Sequence, residues 1–213
     1  MSFDLSVIPN KNIVLAVTGG IAAYKSAILV RRLKDAGFNV RVVMTAGAQA
    51  FITPLTFQAL SGNPVHTTLL DPEAEAGMGH IELARWADLL LVAPASCDSL
   101  AKFASGLADD LLSTLYLATK APVWVAPAMN QQMWAAKATQ RNLNTLIEDG
   151  VHVIMPDAGS QACGDVGLGR MPEPEDIAIQ VTEYFHRAQR AIAEKFGLLA
   201  GKRVTITAGP TRE

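Results

Sequence analysis

Ile13-Val14-Leu15-Ala16-Val17-Thr18-Gly19-Gly20-Ile21-Ala22-Ala23-Tyr24-Lys25 is the stretch on which the fold turns. Five aliphatic residues in a row, with no polar alternation, describe a strand buried on both faces. Two glycines then turn the chain directly into a helical segment, Ala22–Ala36. That helix carries apolar Leu29, Val30 and Leu33, basic Arg31, Arg32 and Lys34, and Gly37 as its stop. Buried strand, glycine turn and covering helix form the repeating unit of a parallel sheet. Working outward, further strands are expected at Val40–Met44, Leu89–Ala93, Val123–Ala126 and Val151–Met155. Helices are expected at Pro54–Leu60, Ile81–Trp86, Asp98–Phe103 and Asp109–Thr119, and in two pieces over Gln131–Asp149. A last helix starts at Pro174, with Glu173, Glu175 and Asp176 around its first turn and a stripe of Ile177, Val181, Tyr184, Ala188 and Ile192. The expected fold is α/β: a three-layer, Rossmann-like (flavodoxin-like), doubly wound parallel sheet.

Composition narrows the function. The chain has 213 residues, 50% hydrophobic and only 18% charged, against roughly 25% charged in ordinary soluble domains. The apolar excess points to subunit contacts, hence a homo-oligomer, and excludes disorder. A net charge of −2 excludes general nucleic-acid binding. The apolar run around Ala87–Ala95 is interrupted by Asp88 and Pro94 and falls short of the roughly 20 residues of a membrane span. Ser2–Asn12 lacks the pattern of a signal peptide, so a cytoplasmic location is expected. Cys97 and Cys163 cannot by themselves make a disulfide framework or a zinc site, and no metal is expected.

Four segments carry polar groups at strand ends. Thr18–Lys25 offers glycines and a helix N-terminus to an anion, but is not GxGxxG. The second strand ends in Met44-Thr45-Ala46-Gly47, with a hydroxyl where a dinucleotide site would carry an acid, which suggests a mononucleotide. A plain tight turn remains open. Ala93-Pro94-Ala95-Ser96-Cys97-Asp98-Ser99 suits the polar edge of a flat ring or, equally, a helix cap. Asn130, between Met129 and Met133 and before Trp134, is an odd polar group in an apolar wall, or a helix cap with core methionines. Pro156–Pro172 is a long connection rich in glycine, with Cys163 near its middle. It reads as a hinged flap carrying a thiol, or as a loose loop with an exposed one.

Three of these motifs carry a resemblance to a known family. They are Pro127–Trp134 (PxMNxxMW), Gly79–Asp88 (GH-x-x-L-x-x-x-AD) and Ala162–Met171 (ACGDxGxGRM). Over roughly residues 10–190 the chain resembles the homo-oligomeric flavin-containing cysteine decarboxylases. Within them it is most similar to the phosphopantothenoylcysteine decarboxylase part of bifunctional bacterial coenzyme A biosynthesis proteins. Thr207–Glu213 resembles the opening of that family's phosphopantothenate–cysteine ligase domain. The expected division is therefore 1–190, decarboxylase, and 191–213, linker and severed start of the ligase, without ligase activity. On residues alone, Lys202–Ile206 reads either as the first strand of that second domain or as an edge strand of the first.

The resemblance implies FMN as cofactor and 4′-phosphopantothenoylcysteine as substrate. The cysteinyl carbon–sulfur unit is oxidised transiently to a thioaldehyde, CO2 leaves, and re-reduction yields 4′-phosphopantetheine. It implies His80 as base, Asn130 as the group that binds the carboxylate, and Cys163 as proton donor. Gly19, Gly20, Ile21 and Thr45 would hold the flavin phosphate and ribityl chain, and Ser96 and Ser99 its ring. Met129, Met133, Ala162 and Arg170 would line the substrate, with Arg170 and Lys102 as candidates for its phosphate. The family implies an active site at a trimer interface, in a homotrimer or a dodecamer built from trimers. Two other branches of the fold, a flavin-binding regulator without turnover and a flavin prenyltransferase, fit less well. The first needs no His80, Asn130 and Cys163 together, and the second lacks PxMNxxMW.

Overall fold

A computed structural model describes residues 11–69 and 79–196. Six parallel strands form one sheet: β1 (Asn12–Val17), β2 (Asn39–Met44), β3 (Val65–His66), β4 (Leu89–Ala95), β5 (Val123–Pro127) and β6 (His152–Val153). Their spatial order is β3-β2-β1-β4-β5-β6, the Rossmann order, which reverses direction between β1 and β4. The helices are α1 (Ala23–Asp35), α2 (Ala46–Gln49), α3 (Pro54–Ser61), α4 (His80–Trp86), α5 (Cys97–Ser105), α6 (Leu111–Ala118), α7 (Gln131–Ala135), α8 (Lys137–Glu148) and α9 (Pro174–Phe196). No helix among the described residues is long and apolar enough to cross a membrane.

The aliphatic runs become central strands because both sheet faces are covered. One apolar core joins the sheet to α1, α3 and α9 through Leu29, Leu33, Phe57, Ile177 and Val181. The other joins it to α4, α5, α6 and α8 through Leu83, Leu100, Leu112, Leu115 and Leu146. Each such side chain, fully removed from water, contributes about 1.5–3 kcal/mol before its ordering entropy is subtracted. Alternate residues of β1 belong to opposite cores, Ile13, Leu15 and Val17 to the first and Val14 and Ala16 to the second. This three-layer arrangement is the one expected from the sequence.

Three expectations are revised. The last core strand shrinks from Val151–Met155 to His152–Val153, and the two-residue β3 beside β2 was not foreseen because it carries no aliphatic run. The connection Pro156–Pro172 is not an irregular loop. It forms an antiparallel hairpin, β7 (Asp157–Ser160) with β8 (Val166–Arg170). Lys202–Ile206 and Thr207–Glu213 lie outside the described residues, as does the side chain of Ile192.

Candidate active site

A cleft of about 480 Å3 opens at the carboxyl ends of β1, β4 and β5, beside the point where strand order reverses and where open α/β sheets bind ligands. Its floor is the β1–α1 turn. Gly19 packs so tightly on Gly47 that a Cβ at position 19 would come within 3.0 Å of the Gly47 carbonyl carbon. A Cβ at Gly20 would meet nothing within 4 Å, so the backbone lies open to the cleft. No side chain caps α1; within its first turn the Ala23 and Lys25 N–H groups donate to the Gly20 and Ala22 carbonyls, which leaves the backbone of the glycine turn itself to face an anion.

Two buried hydroxyls tie this turn to β4. Thr18 Oγ1 donates to the Pro94 carbonyl at 2.8 Å and accepts from the Ser96 N–H at 2.8 Å. Ser26 Oγ donates to the Ala93 carbonyl at 2.7 Å. They set the start of α5, where Ser96 Oγ caps the Ser99 N–H at 3.2 Å and its hydroxyl pairs with that of Ser99 at 3.1 Å. Ser96 is thus a helix cap and also lines the cleft.

The opposite wall is Ala128–Asn130 and the hairpin. Met129 donates its N–H to the Gly169 carbonyl at 2.9 Å. Gln161 reaches back, accepting from the Gln131 N–H at 3.0 Å and donating to the Leu168 carbonyl at 3.2 Å. A Cβ at Gly167 would strike the Gln131 side chain, and one at Gly169 the Met129 carbonyl. Close approach, rather than hinge motion, therefore explains these two glycines. The wall's polar group is Asn130, whose Oδ1 caps α7 by accepting from the Gln132 N–H at 2.8 Å. With that oxygen engaged, Nδ2 turns to the hairpin, donating to Cys163 Sγ at 3.3 Å and Asp165 Oδ2 at 2.8 Å. Again the cap and the polar wall are one residue.

The cleft lining thus includes Gly19, Gly20, Ile21, Ser96, Met129, Asn130, Met133, Ala162, Cys163 and Arg170. Thr45 and Ser99 stand behind it. Thr45 caps α2 by accepting from the Ala48 N–H at 3.2 Å, and Ser99 is buried under Ser96. His80, first residue of α4, lines no part of this cleft. Lys102 is corrected. Its ammonium lies 3.0 Å from both Asp109 and Asp110 and 3.7 Å from Asp98, away from the cleft. Hydrogen bonds to Asp110 and Asp109 push its pKa up, so it is engaged in a structural cluster and not directed at a ligand phosphate. Residues given no individual role from sequence also shape the site: Thr18, Gln161, Asp165 and Lys25. Lys25 is buried, with its ammonium 2.9 Å from the Met171 carbonyl and 2.7 Å from Glu173. A lysine one turn inside a buried helix face was the available signal for it.

A family model described as Flavoprotein matches residues 4–186. The chain belongs to this flavoprotein family. It is 59% identical over 203 residues to the coenzyme A biosynthesis bifunctional protein CoaBC of Vibrio cholerae, covering 95% of this chain and 49% of that one. Against the protein of the same name from Escherichia coli K12 it is 56% identical, covering 95% and 48%. The chain spans about half the length of these curated relatives. Among solved structures, this flavoprotein is similar to a cysteine-to-serine mutant of a PPC decarboxylase complexed with pantothenoylaminoethenethiol. That match has 34% identity and a TM-score of 0.73 over 83% of this chain and 99% of the other. It is also similar to the FMN binding protein AtHal3, with 35% identity and a TM-score of 0.71 over 83% and 97%.

Proposed function

We propose that this flavoprotein binds FMN and decarboxylates 4′-phosphopantothenoylcysteine to 4′-phosphopantetheine, a step of coenzyme A biosynthesis. The observation that carries the reading is the convergence of Asn130 and Cys163, 3.3 Å apart, on one wall of a cleft floored by bare glycine backbone. A decarboxylase needs a carboxylate-binding donor beside a proton source, and these two groups are that pair. The cleft also fits a flavin mononucleotide. The glycine turn before α1 suits one phosphate, the open backbone at Gly20 leaves room for the chain that follows it, and the Ser96 hydroxyl offers a donor or acceptor to a ring edge.

When bound, the flavin supplies the reversible two-electron oxidation that makes the substrate's CH2–SH a thioaldehyde and gives the carboxylate's electrons somewhere to go. The protein's own groups do the rest. The Gly19, Gly20 and Ile21 backbone holds the phosphate, braced from behind by Thr45, while Ser96, supported by Ser99, orients the ring. Met129, Met133 and Ala162 exclude water from the reacting carbons, and Arg170 at the rim takes the substrate's phosphate. Asn130 holds the carboxylate until CO2 departs. Cys163 then gives its proton to the carbon left behind, and water restores the thiol. His80 accepts the substrate's thiol proton.

Because His80 lines no part of its own cleft, it serves the cleft of a neighbouring subunit. Ile21 just before α1 and Tyr24 and Ile28 on it lie exposed, the first two 63% and 56% accessible, and supply an apolar face for a trimer. The test is to replace Cys163 by Ser and Asn130 by Asp and to assay CO2 release together with flavin absorbance. Loss of turnover with the flavin retained is expected. Full activity in both variants would overturn the residue roles, and colourless protein that takes up no added FMN would overturn the reading as a whole.

A further inference from the structure

A second residue of the hairpin turn, Asp165, meets both catalytic candidates. Asp165 Oδ2 accepts from Asn130 Nδ2 at 2.8 Å and from Cys163 Sγ at 3.5 Å. One carboxylate oxygen therefore takes both contacts. Donor logic assigns the hydrogens: a carboxylate only accepts, and at 3.5 Å Asp165 is nearer to Cys163 Sγ than Gln161 Oε1 at 3.9 Å, so the S–H points at Asp165 while the sulfur accepts from the Asn130 amide at 3.3 Å. Asn130 Oδ1 is committed to the Gln132 N–H, so both hydrogens of the amide face the hairpin. The three side chains close a triangle in which Asp165 accepts from both of the others.

We infer that Asp165 is the positioning residue of the decarboxylation. It presents the Asn130 amide hydrogens to the place a substrate carboxylate takes, and it aims the Cys163 S–H. This rests on the decarboxylase reading above. Asp165 is itself a carboxylate bound to the donor meant for the substrate's carboxylate, so it marks that subsite in the free protein. When substrate enters, its carboxylate takes one amide hydrogen from Asp165, whose oxygen keeps the S–H. The triangle is exposed in the free chain, where water weakens its bonds. A substrate lying over it excludes that water and strengthens them. Once CO2 has left, the S–H bond breaks and its proton forms the new C–H bond. The sulfur is left as thiolate, to be reprotonated by solvent.

The experiment uses the FMN-loaded protein with 4′-phosphopantothenoylcysteine and compares wild type, Asp165→Asn and Asp165→Ala. The asparagine keeps an acceptor oxygen in the same place; the alanine does not. Asp165→Ala is expected to lower kcat about 10- to 100-fold, the range set by losing a hydrogen bond to a charged group. Its KM should stay within about threefold, because removing the acceptor also removes the substrate carboxylate's competitor. Part of its product should be the enethiol, two hydrogens short of 4′-phosphopantetheine. Those two electrons stay with the flavin until dioxygen takes them, so oxygen uptake should equal enethiol formed. Asp165→Asn should restore kcat to within about fivefold of wild type and suppress the enethiol. Flavin content and Tm should match wild type in both variants, since residue 165 is exposed. Wild-type kcat and product in Asp165→Ala, or equal losses in the two variants, would overturn the inference. A wild-type protein that releases no CO2 would overturn the decarboxylase reading instead.

Discussion

Met129 and Gly169 lock the hairpin to the end of the sheet: the Met129 N–H donates to the Gly169 carbonyl at 2.9 Å, and a side chain at 169 would collide with the Met129 carbonyl. Gly169 also has φ +131, a backbone conformation that other residues adopt only under strain. Through this contact the residue before Asn130 sets the distance of the whole Cys163 strap from the cleft.

Gly169→Ala should therefore push the hairpin outward. The expected cost is about 2 kcal/mol, which for a chain of this size lowers Tm by about 4–8 °C. CO2 release should fall by more than about tenfold even at temperatures where the protein stays folded, because Cys163 no longer reaches Asn130. Thermal melting and a decarboxylation assay at 20 °C below Tm separate the two effects.

Thr18 bridges β1 and β4 entirely inside the protein. Thr18→Val keeps the shape but deprives the Ser96 N–H of its acceptor and the Pro94 carbonyl of its short hydroxyl bond. A loss of about 1–3 kcal/mol is expected. FMN affinity should weaken by about tenfold, because the start of α5 and the Ser96 hydroxyl lose their anchor. Denaturant unfolding and fluorescence titration with FMN measure the two losses.

Lys25→Met tests the buried lysine. Its ion pair with Glu173 contributes little, since that carboxylate is half exposed. The larger effect is the Met171 carbonyl left without its donor, expected to cost about 1–3 kcal/mol. Met171 follows Arg170, so the substrate KM should rise while FMN affinity, read by titration, changes by less than about threefold.

Asp110 predicts acid sensitivity. Burial raises its pKa, but the Ser113 N–H, the Lys102 ammonium and the Ser113 hydroxyl outweigh this and hold it below 3.8. A carboxylate with a lowered folded-state pKa stabilises fully above its unfolded value and loses that contribution as pH falls through the folded one. Asp110→Asn keeps an acceptor for the Ser113 N–H but carries no titratable charge. Its Tm should be lower than wild type at pH 7, with the gap closing as pH falls below 3.8 and through the lowered folded-state pKa. A gap constant over that range would contradict the assignment.

The aliphatic strands and amphipathic helices were legible because burial on two faces leaves a mark in single residues, as at Ile13–Val17 and Leu29–Leu33. The hairpin was not. Its pairing is carried by main-chain bonds between glycine-rich, mostly exposed segments, and no periodic apolar pattern announces it. Motif resemblance named Asn130 and Cys163, and both line one cleft. It did not distinguish groups facing the cleft, such as Ser96, from groups bracing it, such as Thr45 and Ser99, because both kinds are hydroxyls at strand ends. Lys102 failed as a phosphate ligand because Asp109 and Asp110 follow it after a short turn, and their charges claim it first. Asp165, though part of the ACGDxGxGRM motif, received no role of its own because that role depends on a contact 35 positions away in sequence.

The most direct test is to supply the purified chain with FMN and 4′-phosphopantothenoylcysteine and to measure CO2 and thiol product together. One CO2 per 4′-phosphopantetheine formed, without added reductant or oxidant, is the result expected. Bound FMN with no CO2 released from this substrate would contradict the central claim.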